Sequence, residues 1–202
     1  MPLHPAPLER RAFWFLRHGE TDWNARALSQ GNVDVPLNEI GVAQAARAAE
    51  MLREQGIRSI ASSTLSRARD TAEMVAGVLG LPIRFDDALR ECAFGVQEGQ
   101  PMSDWFDAWV EGRLVPEGAE SFADLRLRAV SAVNRALEME APVLVVGHGA
   151  VFRALRAEMG LPANVRTPNA MPFHCQPGAD ADQPWTLTPA GAPPPASTGA
   201  SP

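Results

Sequence analysis

Two short apolar runs, residues 12–16 (AFWFL) and 142–146 (PVLVV), each break off two residues before a His-Gly pair, His18-Gly19 and His148-Gly149. Apolar runs of that length without alternation suit strands buried on both faces. Further strands are expected at 57–62 and 82–85, with edge strands at 171–175 and 185–187. Helical patterns fill the gaps. One is capped by Asn38 and closes near Gly56; one is capped by Ser66 and ends at Gly80. Another carries Trp105, Phe106 and Trp109, another opens at Ser121, and a last one spans 150–158. Strands alternating with helices predict an α/β fold, a three-layer sandwich with a mostly parallel central sheet and helices on both faces. Ligands of such sheets sit at the carboxyl ends of the strands, where both His-Gly pairs fall.

The chain has 202 residues, enough for one well-cored domain, expected over residues 12–187. Residues 1–11 read as a loose leader and 188–202 (TPAGAPPPASTGASP) as a disordered tail. All 18 basic residues are Arg, and the net charge of −6 argues against a partner that is nucleic acid or an anionic membrane. There is no apolar run of the roughly 18 residues that span a bilayer, and no apolar signal-peptide core. Cys92 and Cys175 are far apart and read as free thiols, so a cytoplasmic protein, monomer or homodimer, is expected.

The residues near the two histidines point to an anion. Arg17 adjoins His18, and Arg67 follows the 57–62 strand at the start of a helix, where the helix dipole favours negative charge. A phosphate dianion needs planar, permanently charged donors, which Arg supplies in pairs. The neighbouring glycines let backbone N–H groups approach it. Two histidines with nearby carboxylates could instead bind zinc. Against that, the two arginines would repel a dication and no H-x-x-x-H or H-E-x-x-H pair occurs. No G-x-x-x-x-G-K-[ST] loop exists, which excludes an NTPase of that type.

The stretch Leu16-Arg17-His18-Gly19-Glu20-Thr21 resembles the signature of the histidine phosphatase superfamily, whose members are phosphoglycerate mutase-like. Asp22-Trp23-Asn24, Gln30-Gly31 and Pro36-Leu37-Asn38 with Gly41 resemble its phosphate-loop region. Residues 62–68 (SSTLSRA) resemble its second arginine motif, with Thr64 where the family has Pro, a change that predicts a looser turn. Leu89-Arg90-Glu91 resembles its acid loop, and residues 145–149 (VVGHG) its second histidine.

The resemblance implies a nucleophilic role for His18, whose imidazole must be neutral to attack, as its ordinary pKa of about 6.5 largely allows. Arg17, Arg67 and His148 would hold the phosphoryl oxygens. Asn24, Gln30, Gly31 and Gly149 would bind substrate. Glu91, with Glu98 as its neighbouring competitor, would protonate the leaving alcohol and then activate water. Glu120 and Ser121 read better as helix-capping residues than as site residues, and Cys92 as wall; His4 and His174 are expected to take no part. No cofactor and no metal are implied. The partner is a small phosphorylated metabolite.

Mutases and phosphatases of this family share the core. The mutases are implied to carry a longer, basic lid between acid and second histidine. Here only 56 residues separate Glu91 from His148, with a short lid at 92–120 and Arg113 as its one obvious loop cation. Hydrolysis is therefore expected over mutase transfer. A catalytically silent phosphate-binding regulatory module is the alternative of another class.

Overall fold

A computed structural model of the protein describes residues 6–191. Six strands form one sheet: β1 (Phe13–Arg17), β2 (Ser59–Ser62), β3 (Ile83–Phe85), β4 (Val143–Gly147), β5 (Pro172–Gln176) and β6 (Thr186–Pro189), in the order β3-β2-β4-β1-β5-β6. The first four are mutually parallel, and β5 and β6 are added antiparallel at one edge. Both central strands are wholly buried, and the reason is visible in their alternation. Phe13, Phe15, Val143 and Val145 enter the core on one face, while Trp14, Leu16, Leu144 and Val146 enter the other. Period-2 side chains with a core on each side need apolar residues at every position.

The helices α2 (Glu39–Leu52) and α3 (Ser66–Leu79) pack on one face. The helices α5 (Phe122–Leu137) and α6 (Gly149–Glu158) pack on the other, where Phe152 of α6 stacks on Phe15 at 4.2 Å. The expected three-layer sandwich is what forms. Asn38 caps α2 by accepting from Gly41 N at 2.8 Å, Gly80 closes α3 at φ +68°, and Ser121 caps α5 by accepting from Asp124 N. Among the described residues no helix is long and apolar enough to cross a membrane.

Several expectations need correcting. The part of residues 1–11 that is described, 6–11, does not hang loose. Leu8 is buried in the core, Asn134 of α5 clasps Glu9 N and Pro7 O at 2.9 Å each, and Arg11 donates to Leu137 O. The tail begins later than residue 188, because β6 runs to Pro189 and Ala190 N donates to Pro172 O. The remainder of the expected tail, 192–202, and of the leader, with His4, lie outside the described residues. Ser66 is not a cap but the first helical residue of α3; its N–H and hydroxyl are both taken by Asp34, 32 positions back. The loop after His18 contains a one-turn helix, α1 (Asp22–Ala25), closed by a reciprocal Thr21/Asn24 capping box. The 92–120 segment holds a 3₁₀ turn at Gly95–Gln97 and the short helix α4 (Trp105–Val110).

Candidate active site

The site forms because β1 and β4, remote in sequence, are paired neighbours in exact step at their carboxyl ends. Arg17 lies opposite Gly147, and the chain continues with His18 N donating to Gly147 O at 3.0 Å. β2 joins on the far side of β4, with Ser63 N donating to Val146 O. Residues 18, 63 and 148 thereby leave the sheet side by side. The His18 and His148 rings lie 5.2 Å apart at 56°.

A cavity of about 190 Å³ opens there. Arg17, His18, Arg67 and Glu91 line it, as do Asn24, Gln30, Gly31 and Gly149. His148 is fully buried beside His18. Glu98 is absent from the wall. Its carboxylate accepts from Asn32 N at 2.9 Å and Phe94 N at 3.1 Å, so it ties two loops together. Gly31 passes directly over it at φ +52°, where a Cβ would fall 2.1 Å from Glu98 Oε1, so any side chain there is strained and displaces the carboxylate.

His18 Nδ1 is 2.7 Å from Gly19 O. A carbonyl can only accept, so Nδ1 carries the proton and Nε2 keeps its lone pair. Burial, reinforced by Arg67 and Arg17, holds the imidazole well below its ordinary value, hence neutral. His148 is held down in the same way, by burial first and then by Arg67. His148 Nε2 lies 2.7 Å from Ser63 Oγ, which already accepts from Leu65 N. When the Ser63 hydroxyl donates to Nε2, Nδ1 carries the ring proton as an N–H donor; that atom is buried without a partner.

The guanidinium groups are similarly half-committed. Arg17 gives Nη1 to Thr167 O at 2.6 Å, and Arg67 gives Nη1 to Val33 O and Nη2 to Gly31 O. The Nε of each is buried without a partner. Burial pulls both down to about 10, which leaves them cationic at neutral pH. Three orphaned buried donors around one neutral imidazole are what a phosphoryl group would satisfy.

Glu91 accepts from Cys92 N through Oε1 and from Ala150 N through Oε2, at 3.0 Å each. A Cβ at Gly149 would lie 3.6 Å from Arg17 Nε and 3.9 Å from Glu91 Oε2, so a larger side chain there would wedge between phosphate donor and acid. Arg128 of α5 steadies the acid loop by donating to Ala88 O and Arg90 O, while its other edge meets Glu120. Glu120 is thus an ion-pair partner and Ser121 a helix cap.

Other residues take roles the sequence did not suggest. Gly19 N donates to Thr71 Oγ1, not into the cavity; a Cβ on Gly19 would lie 2.4 Å from Gly41 O, so this glycine serves close packing on α2. Thr64 fastens its turn rather than loosening it, its hydroxyl donating to Asp87 at 2.6 Å. Asn169, undetected in the sequence, bridges His18 O and Asn24 Oδ1. Arg153, Arg166 and Thr167 also line the cavity. Arg153 alone had a signal, since it stands four residues after Gly149 on the same helix face. Burial pushes the Cys92 thiol upward, away from thiolate chemistry. His174 packs on Trp14 in β5, apart from the site. Among the described residues, no three His, Cys, Asp or Glu side chains come together as a metal-binding group.

Residues 13–172 match the family described as histidine phosphatase superfamily (branch 1). Proteins described as probable phosphoglycerate mutase GpmB, from Yersinia pestis and Yersinia pseudotuberculosis, are 40% identical over 164 residues, 75% of this chain and 76% of theirs. Among solved structures, the mycobacterial glucosyl-3-phosphoglycerate phosphatase complexed with VO3 superposes with a TM-score of 0.77 at 32% identity, covering 88% of this chain and 97% of that one. A protein described as mycobacterial hydrolase 1 gives 0.78 at 31% identity, with coverage of 88% and 97%.

Proposed function

The chain belongs to the histidine phosphatase superfamily, branch 1, and from that premise we propose that it is a phosphomonoesterase acting on a small phosphorylated metabolite through a phosphohistidine at His18. The observation that carries this reading is the Gly19 carbonyl on His18 Nδ1, which leaves a neutral imidazole with its Nε2 lone pair free.

The Nε2 lone pair attacks phosphorus as the ester P–O bond breaks, and the departing alkoxide takes a proton from Glu91. Arg17, Arg67 and the Nδ1–H of His148 hold the equatorial oxygens, on which charge is spread during transfer. The Glu91 carboxylate then removes a proton from water. The resulting hydroxide attacks phosphorus, the P–N bond breaks, and inorganic phosphate departs with His18 neutral and Glu91 protonated again.

Hydrolysis is favoured over mutase transfer by the composition of the lid. The residues that the 92–120 segment gives to the cavity are Phe94, Met102 and Phe106, all apolar, while Arg113 pairs with Glu111 at the surface. The phosphatase among the structural neighbours agrees with this. The mutase names of the 40% identical relatives favour the second reading. Incubation with labelled 3-phosphoglycerate in EDTA separates the two. Free phosphate in stoichiometric yield is expected; 2-phosphoglycerate alone would establish a mutase, and loss of turnover on chelation would point to a metal.

A further inference from the structure

The tautomer of His18 rests on the carbonyl of Gly19, and a backbone without a side chain turns easily unless something grips it. The grip comes from outside the cavity. Gly19 O and Glu20 N belong to one peptide unit, a rigid plane whose C=O and N–H point opposite ways. Fixing the N–H end therefore aims the C=O end. Glu20 N donates to Gln44 Oε1 at 2.9 Å on one side, while Gly19 O meets His18 Nδ1 at 2.7 Å on the other. A backbone N–H needs an acceptor, so the amide oxygen of Gln44 is the atom that faces it.

The neighbouring groups are held as well. Gly19 N donates to Thr71 Oγ1 at 3.1 Å, and the Thr71 hydroxyl donates in turn to Arg67 O at 2.7 Å. Glu20 O accepts from Asn38 N at 3.0 Å, and Asn38 Nδ2 donates to the Glu20 carboxylate at 3.1 Å. Asn38, Gly41 and Gln44 follow one another at three-residue spacing along the start of α2, and all three meet residue 20. Gly41 sets the closeness of the approach, since a Cβ there would fall on Glu20 O. Gln44 supplies the side chain that grips the peptide carrying Gly19 O, yet it is absent from the cavity wall.

We propose that Gln44 is a positioning residue for phosphoryl transfer: by holding Glu20 N it aims the Gly19 carbonyl, and through that carbonyl it keeps the His18 proton on Nδ1. This rests on the reading of His18 as the nucleophile. Without the grip the peptide turns, Nδ1 loses its acceptor, and the neutral ring shares its proton between both nitrogens. Molecules with the proton on Nε2 have no lone pair to offer phosphorus. Arg17, Arg67 and His148 stay in place, so anion binding is spared.

The test compares the unaltered protein with Gln44→Leu, which keeps the bulk and removes the acceptor, and with Gln44→Glu, which keeps an acceptor oxygen. Ring ¹⁵N chemical shifts of His18, read in phosphate-free buffer at neutral pH, tell a protonated nitrogen from an unprotonated one. The unaltered protein is expected to carry the proton on Nδ1, Gln44→Leu to show a mixture of tautomers, and Gln44→Glu to return it to Nδ1. With p-nitrophenyl phosphate, kcat/KM reports the attack by His18 and should fall about threefold to tenfold in Gln44→Leu, the effect of one net hydrogen bond. Gln44→Glu should recover most of that loss. Inorganic phosphate, titrated by calorimetry, should bind within about twofold of the unaltered protein in both variants, because its charged donors are intact. A proton that stays on Nδ1 in Gln44→Leu, or phosphate affinity that falls in step with kcat/KM, overturns the positioning role. The shifts are read whether or not the protein turns over. A mixed tautomer in Gln44→Leu beside an unaltered protein that releases no phosphate would refute hydrolysis and leave the positioning role standing.

Discussion

At the scale of single residues, the site works by assigning protons. Gly19 O fixes the proton of His18 on Nδ1, and in the proposed mechanism the Ser63 hydroxyl donates to His148 Nε2 and leaves that ring's proton on Nδ1 as well. In that mechanism the first assignment makes a nucleophile and the second a donor, from identical side chains. Ser63→Ala removes the second constraint, and kcat should fall about 10-fold to 100-fold with little change in KM, since the lost donor acts on developing charge. Ser63→Thr keeps the hydroxyl and should restore most of it; failure of that rescue would reduce Ser63 to packing. Glu91→Gln tests the acid directly. Hydrolysis of alkyl phosphates should slow about 10²-fold to 10⁴-fold, whereas p-nitrophenyl phosphate, whose leaving group scarcely needs a proton, should lose far less. Equal losses for both ester types would remove Glu91 from the acid role.

At the scale of elements, the acid loop depends on a helix that never reaches the cavity. Arg128 of α5 joins Ala88 O and Arg90 O of the acid loop to the Glu120 carboxylate, 30 residues further along the chain. The pair is mostly buried, so Arg128→Gln should cost about 2–3 kcal/mol of stability, part of it from leaving Glu120 unpaired. It should also lower kcat on alkyl phosphates more than on aryl ones, because Glu91 loses its footing. Arg128→Lys, a point charge without the fork, should not recover either property. Thermal unfolding together with the two ester rates checks this.

The same scale explains what the sequence could and could not reveal. β1 and β4 were readable because burial on both faces leaves an unbroken apolar run, and α2 and α5 because their caps are local. α1 was not, since four residues are too few for periodicity and its capping box is closed by Asn24 rather than by an acid. The local pattern starts α3 one residue late because the group that satisfies Ser66 is Asp34, which no local pattern associates with it. Thr167 and Asn169 escaped notice for the same reason. They reach the site only through the antiparallel pairing of β5 on β1, which brings the loop before β5 back to Arg17 and His18.

For the whole molecule, keeping two imidazoles neutral in the interior has a cost at low pH. An unfolded chain protonates its histidines below about pH 6.5, while the folded chain refuses protons at His18 and His148. The unfolded state then binds more protons, so stability is complete above that pH and declines as pH falls below it. The slope is about 1.4 kcal/mol per pH unit for each imidazole. His174, also lowered by burial, adds in the same direction. Urea midpoints should therefore drop between pH 7 and pH 5.5, and His148→Asn should flatten that drop. An unchanged midpoint across the window would show that the interior accepts the protons after all.

The pairing of β1 with β4 also has a consequence for biosynthesis. The proposed nucleophile, His18, directly follows the first strand, but the strand that completes its surroundings is made some 130 residues later. A half-translated polypeptide holds Arg17, His18, Arg67 and Glu91 without the neighbour that brings them to a common edge. On the proposed mechanism phosphate transfer can therefore begin only once β4 has been made, and a transcript cut short before β4 yields a silent product rather than a weakly active one.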